Sequence, residues 1–206
     1  MNALRARPAA DPGRENGMSL IEVVIAITIL ALLSTASLGV YLSGVNAATA
    51  QQRREVAITI ANSVLEDASL VAPANLYVGR SEATVTALRS NNALIPGVQQ
   101  TYAAFQAPPI STPVAVAPTQ TVPVNGTDYA VSTIIGTCFQ PKAGGTCTVT
   151  TGYPTQPAVP ATSVVLTRII VVVRWQAGST CAATPCLYQT STLVDRNADL
   201  TWNVSG

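Results

Sequence analysis

From Val23 to Val45 the chain reads VVIAITILALLSTASLGVYLSGV, a run of 23 residues without a charged side chain. A helix rises about 1.5 Å per residue, so this run would span roughly 35 Å, more than the bilayer hydrocarbon core of about 30 Å. We therefore predict a membrane-spanning helix. Residues 1–17 hold three arginines and two acids, and the first charges after the run are Arg53 and Arg54. This distribution weakly favours an N-terminus on the cytoplasmic side.

A cleaved secretory signal peptide is the competing interpretation of the same run. Residues 48–50 read ATA, which has the small-x-small form of a signal-peptidase site. The apolar core of a signal peptide is normally about 7–15 residues long, and this run is longer and begins next to an acid, Glu22. A retained anchor is therefore favoured, and a secreted domain stays open as an alternative.

The composition excludes several classes of protein. The chain has 206 residues, of which 48% are hydrophobic and 10% charged, and it has a net charge of +1 and no histidine. Such a chain is too apolar for a disordered protein and too weakly charged for a polybasic nucleic-acid binder. Without histidine it cannot form a Ser-His or Cys-His nucleophile pair or a His-ligated metal site. We therefore predict no enzymatic activity, cofactor or metal.

A short motif precedes the apolar run. Residues 17–22 read GMSLIE, and this stretch resembles the processing site of type IV prepilins and the related pseudopilins. In that family a basic, hydrophilic leader ends in glycine, a membrane-embedded peptidase cleaves after it, and the new N-terminal residue is N-methylated. The resemblance implies cleavage between Gly17 and Met18, methylation of Met18, and an assembly role for Glu22, the fifth residue of the mature chain. Met18 departs from the commonest residue at its position, which is phenylalanine.

Elementary electrostatics explains what such a motif would do. Cleavage after Gly17 would create a positively charged α-amine close to the membrane, and a carboxylate within a membrane helix costs on the order of 2.5–3.5 kcal/mol unless it is compensated. In a staggered stack of subunits the Met18 amine of one copy would meet the Glu22 carboxylate of its neighbour. We expect this pair to set the register of assembly.

The helical pattern continues beyond the membrane run, with a stripe of small and apolar side chains at helical spacing. The sequence predicts one helix over residues 19–72, ended by Pro73, whose stripe faces a sheet. The predicted helix, together with the leader that the resemblance implies, divides the chain into four segments. These are a leader (1–17), a transmembrane half-helix (18–45), an amphipathic half-helix (46–72) and an extracytoplasmic head (73–206). The stripe consists of Val56, Ala57, Ile60, Ala61, Val64, Leu65 and Ala68.

The rest of the chain reads as antiparallel strands separated by proline-rich connections. Residues 107–123 and 153–162 are predicted to be irregular, and Asn125-Gly126 is a turn signal. Strands are expected over residues 129–135, 164–175, 187–194 and 200–204. In the second of these, one face carries Thr167, Ile169, Val171, Val173 and Trp175, and we expect it to lie on the helix. The predicted fold class is α+β and pilin-like.

Four cysteines, Cys138, Cys147, Cys181 and Cys186, favour disulfides over zinc, because the chain has neither a Cys-x-x-Cys pair nor a histidine. Of the three connectivities, the sequence-local pairs are preferred, since each flanks a turn with glycine or proline. Asp195 and Asp199 resemble a calcium pair only by spacing, and such acids are more often solvated turn residues, so no metal is predicted.

The leading hypothesis is a structural subunit, favoured as a minor one, of a type IV pilus or related filament. Its partners would be other pilin subunits, prepilin peptidase, the assembly platform and membrane lipid. It would sit in the inner membrane as a single-pass protein with its C-terminus outside, and later in a filament. The alternatives are a type II secretion pseudopilin, a DNA-binding competence pilin, and a plain membrane-anchored or secreted domain. No nucleic acid is expected, because the chain from Met18 onward has as many acidic as basic residues.

Overall fold

The computed structural model describes residues 19–108, 110, 112–150, 156–176, 181 and 183–195. The chain divides into two compact units between Ala48 and Thr49. Helix α1 (Leu20–Ser69) begins in the first unit and ends in the second, which confirms the predicted helix and ends it three residues early. The early end has a local cause: a residue before proline is pushed out of the helical region, and Ala72, before Pro73, has φ −53° and ψ 135°.

The first unit presents its apolar side chains outward. The large hydrophobic residues from Leu20 to Val45 are 40–82% exposed. Its hydroxyl groups are satisfied within the helix, since Thr28, Ser34 and Ser37 each donate to a carbonyl four residues earlier. Such back-bonding removes the cost of placing a hydroxyl in lipid. Among the described residues, α1 is the one helix long and apolar enough to cross a membrane.

The second unit is built on an antiparallel sheet. Its strands are β1 (Tyr102–Ala103), β2 (Thr119–Val124), β3 (Thr127–Pro141), β4 (Ser163–Trp175) and β5 (Cys186–Asp195). The order is β1-β3-β4-β5, and β2 pairs with β3 beside β1. The predicted antiparallel arrangement is confirmed for three of its four strands, each of which is longer than expected. The expected strand over residues 200–204 and the first three residues of the second irregular segment, 153–155, lie outside the described residues. The rest of that segment, residues 156–162, has no helix or strand, as predicted.

The turn between β2 and β3 follows from its sequence. Asn125 and Gly126 have φ of 49° and 73°, the left-handed conformations that a two-residue hairpin requires and that asparagine and glycine tolerate best. The predicted irregular segment over residues 107–123 is wrong at its end, because β2 begins at Thr119 and includes Pro123. A proline is accommodated there because β2 pairs only with β3 and its other edge needs no N–H donor.

The main core lies between the sheet and the second half of α1. Ala57, Ala61, Val64 and Ala68 are buried on α1. They pack with the β4 face predicted to lie on the helix, including Ile169, Val171, Val173 and Trp175, and with partly buried Val56, Ile60 and Leu65. Small alanines on the helix allow close approach to the β-branched side chains of the sheet. The predicted contact between the helical stripe and this strand is therefore confirmed.

The opposite face of the sheet is covered by an element the sequence interpretation missed. Helix α2 (Glu82–Asn91) and the turns after it bury Leu88, Ile95 and Val98 against Ile134, Ile170 and Val172. The N-terminus of α2 is capped by Ser81, whose hydroxyl accepts from the Thr84 amide at 3.2 Å.

Candidate functional site

Of the residues predicted for cleavage, methylation and assembly, Glu22 is the one that the structure describes. It lies in the first turn of α1 and is exposed. The helix begins there because the Ser19 carbonyl accepts from the Glu22 amide at 2.9 Å and from the Val23 amide at 3.3 Å. A carboxylate in a first turn is favoured by the partial positive charge of the helix N-terminus. The predicted cleavage residues, Gly17 and Met18, lie outside the described residues.

Glu22 is the one charged side chain in the described stretch from Ser19 to Gln52. Its own helix therefore supplies no counter-charge before Arg53, which is 31 positions later in the sequence. The helix dipole offers only about 0.3–1 kcal/mol of stabilisation, less than the membrane cost of the charge. Compensation for Glu22 must come from a group outside this stretch.

The head contains buried arginines that sequence analysis treated only as surface charge. Arg80 is 1% exposed and donates to the carbonyls of Thr133 and Val116 at 2.8 and 2.9 Å. Burial without a carboxylate lowers the pKa of Arg80 to about 10. Arg80 thus fastens the start of the α2 region to β3 and to the segment before β2.

Arg168 performs the same task from β4. Its guanidinium donates to the carbonyls of Gly97 and Gln100, both at 3.2 Å, and to that of Cys147. Burial lowers its pKa below the ordinary value. It therefore joins the turns after α2 to the loop that carries Cys147.

These contacts bear on anion binding. Of the seven basic residues within the described part of the chain, Arg80, Arg89 and Arg168 are buried, and Arg174 donates to Asn92 Oδ1 at 2.8 Å. Of the seven, only Arg54 and Lys142 are exposed, and Arg53 and Arg174 are partly buried. Electrostatic binding of a nucleic-acid backbone needs several accessible cations on one surface. The described head offers no such surface. The sequence pattern of β4 did not predict this, because alternation along a strand does not show that α2 covers the face of β4 that carries Arg168.

The cysteines form two local disulfides, Cys138 with Cys147 and Cys181 with Cys186. The first closes the loop at the end of β3 and is buried with Leu166. The second precedes β5. Across the described residues no group of three or more metal-ligating side chains comes together. Asp195 ends β5, and Asp199 lies outside the described residues.

Comparison with known proteins identifies the N-terminal segment. The prokaryotic N-terminal methylation motif matches residues 13–38, which include the predicted cleavage site, Glu22 and the first part of the apolar run. No curated protein and no solved structure matches the chain.

The resemblance to type IV prepilins is confirmed, because this motif is their signature. The motif supports a type IV pilin-like, processed protein, and the family that carries this motif is structural rather than catalytic. The motif and the apolar helix together indicate membrane anchoring and membership of a filament. Assembly with other pilins and a prepilin peptidase is the general implication.

Proposed function

We propose that this chain is a minor structural subunit of a type IV pilus or related filament. Prepilin peptidase would remove residues 1–17 by cleaving between Gly17 and Met18, and Met18 would be N-methylated. The observation that carries the proposal is the methylation motif over residues 13–38, which overlaps the first part of a helix with an exposed apolar surface. Residues 18–45 would form the membrane half of the helix, residues 46–72 its amphipathic half, and residues 73–206 the extracytoplasmic head.

The surface of α1 explains why such a subunit needs a partner. Fully burying one large aliphatic side chain is worth about 1.5–3 kcal/mol, so exposing the whole run from Leu20 to Val45 to water would cost on the order of tens of kcal/mol. Lipid removes this cost before assembly. A bundle of the same helices from other subunits removes it afterwards. Transfer from lipid into a filament therefore requires no lasting contact between this helix and water.

Apolar packing alone does not fix the stagger between neighbouring helices, and Glu22 would supply that specificity. The carboxylate has no counter-charge within its own described helix segment, and the Met18 amine of an adjacent subunit would provide one. An uncompensated charge in an apolar bundle costs several kcal/mol, so a stagger that pairs the two groups is strongly preferred over others. Removal of the leader has a second effect, because it takes its three arginines away from the membrane face.

The choice of a minor subunit over a major one is based on the surface of the head. A described stretch without helix or strand, residues 104–118 apart from its gaps, precedes β2, and such irregular surface is poorly suited to dense repetitive packing. This supports a minor subunit over a major one. The shortage of exposed cations in the described head weighs against a DNA-binding competence pilin. A type II secretion pseudopilin would use the same processing and helix.

Coexpression with a prepilin peptidase tests the processing step. The chain and a Gly17→Val variant would be compared by intact mass, with Gly39→Val, a glycine replacement within α1, as the matched control. We expect the parent chain and the control to lose the leader and gain a methyl group, and Gly17→Val to stay at full length. Processing of Gly17→Val at the same position, or retention of the leader by all three proteins, would refute the proposal.

A further inference from the structure

A small pocket lies between the second half of α1 and the β2–β3 hairpin. Its volume is about 110 Å³, and a water molecule takes about 30 Å³ in the liquid, so the pocket has room for a compact group of several atoms. Its described lining comes from one face of the helix and from the hairpin: Thr49, Gln52, Arg53, Val56, Val124, Asn125, Thr127 and Tyr129.

The pocket carries a positive charge that the protein does not neutralise. The side chains of Gln52, Arg53 and Asn125 form no hydrogen bond or ion pair within the described part of the chain. None of the described lining residues is acidic. The positions three and four residues from Arg53 on α1, where a helical ion pair would form, hold uncharged residues. One guanidinium and two side-chain amides therefore offer donors here without an anion to accept from them.

The wall of the pocket is fixed before any ligand binds. Tyr129 is 1% exposed, and its hydroxyl donates to the Arg53 carbonyl at 3.3 Å. Burial raises the pKa of Tyr129, and the positive charge of Arg53 opposes that rise, so the guanidinium lies near the hydroxyl. Asn125 is held by the hairpin turn with φ 49°. A preformed site loses little conformational entropy when it binds a ligand.

The place of Arg53 in the chain indicates the ligand. Arg53 is the first charged residue after the apolar run, eight positions beyond Val45. Cations that flank a membrane span lie where headgroups are, and they attract anionic lipid. Phosphate oxygens are among the acceptors that a guanidinium binds most strongly. We propose that this pocket binds the phosphate group of an anionic membrane phospholipid, with Arg53, Gln52 and Asn125 as donors.

An acidic side chain of a second subunit is the other anion that the pocket could receive. Lipid is favoured because an anchored chain meets headgroups at all times and at the high local concentration of a membrane surface. A neighbouring subunit is met only in a filament. The inference rests on membrane anchoring through α1 and requires no cleavage, methylation or assembly.

Lipid binding by the full chain in uncharged detergent micelles, measured by native mass spectrometry, tests the proposal. The probe is phosphatidylglycerol, and diacylglycerol with the same acyl chains is the control lipid without phosphate. Arg53→Gln should weaken phosphatidylglycerol binding about ten-fold or more. The matched variant Arg54→Gln removes the same charge one position later, outside the described lining, and should weaken binding by about three-fold or less. Diacylglycerol should bind more weakly and should not respond to Arg53→Gln.

A second variant, Asn125→Asp, tests the pocket from the hairpin side. Asp-Gly favours the same two-residue turn as Asn-Gly, so circular dichroism should show a folded head. The new carboxylate would pair with Arg53 and repel phosphate. We expect phosphatidylglycerol binding to be lost.

Three results would overturn the proposal. Equal weakening by Arg53→Gln and Arg54→Gln would indicate diffuse attraction to the surface in place of a pocket. Displacement of the lipid by inorganic phosphate at the same concentration would assign the pocket to soluble phosphate. Undiminished phosphatidylglycerol binding by Asn125→Asp would exclude the hairpin from the site. A chain that does not enter micelles would instead refute the membrane anchor on which the inference rests, so the two failures are distinguishable.

Discussion

Replacing Gly136 by alanine should separate β1 from the sheet. A Cβ atom built on Gly136 in β3 would lie 2.2 Å from the Tyr102 carbonyl oxygen and 2.4 Å from Thr101 Cγ2. Ordinary contacts begin about 1 Å further out, and one of the two neighbours is backbone, so β1 must move. Overpacking costs about 1–3 kcal/mol, and each backbone hydrogen bond lost to β1 adds about 0.5–1.5 kcal/mol. We expect a total loss of about 2–4 kcal/mol in the free energy of unfolding of the head.

Thermal unfolding of the full chain in micelles, followed by near-ultraviolet circular dichroism, measures this loss. For a head of this size 1 kcal/mol corresponds to about 2–4 °C, so the Tm should fall by roughly 4–16 °C. Gly126→Ala is the matched control, because Gly126 has φ 73° but open space around its Cβ position, and its cost should stay near 1–2 kcal/mol. A Tm for Gly136→Ala at or above that of Gly126→Ala would refute the steric argument.

Three further predictions concern other parts of the molecule. The Glu22→Gln variant should still be cleaved and methylated but should fail to enter filaments, whereas the control Glu55→Gln should assemble. Intact mass measures the processing and electron microscopy the filaments. Filaments of Glu22→Gln at parental abundance would contradict the pairing of Glu22 with the Met18 amine. Arg80→Met should lower the free energy of unfolding by about 2–3 kcal/mol, because two buried carbonyls lose a charged donor. Denaturant titration measures this loss. The control is Arg54→Met at an exposed position, which should change the free energy of unfolding by less than about 0.5 kcal/mol. Ser81→Ala should cost about 0.5–2 kcal/mol by removing the cap of α2, and faster hydrogen exchange confined to α2 would identify the loss.

Long, strongly periodic segments were the predictable part of this fold. The apolar run and the stripe that follows it fixed α1 and the side of it that packs, because both repeat at helical spacing over many turns. The alternation in β4 predicted which of its two faces packs on α1 for the same reason. The hairpin at Asn125-Gly126 was predictable because few other residue pairs tolerate two left-handed conformations.

Short elements, and residues whose stabilising partners are distant in sequence, were not predicted. Helix α2 offers few apolar positions, chiefly Val85 and Leu88, and its clearest signal was the cap at Ser81. The prolines before Pro123 suggested an irregular segment, yet an edge strand tolerates a proline. The burial of Arg80 and Arg168 could not be inferred, because carbonyls distant in sequence satisfy them in place of acids.

The candidate site likewise has one part that the sequence predicted and another that only the structure adds. The position of Glu22 was predictable because the motif fixes it relative to Gly17. The structure adds that no counter-charge lies on its own helix before Arg53, which is the physical reason to expect a partner subunit. The motif is common to minor pilins, pseudopilins and competence pilins, so it does not distinguish among them.

The most direct test of the central claim is the N-terminal sequence and intact mass of the protein recovered from membranes of its native host. The account predicts a chain that starts at N-methylated Met18 and lacks residues 1–17. A chain that starts at Gln51 would be an ordinary secreted domain, and one that starts at Met1 would be an unprocessed anchor. Either of those results would contradict assembly through a processed α1.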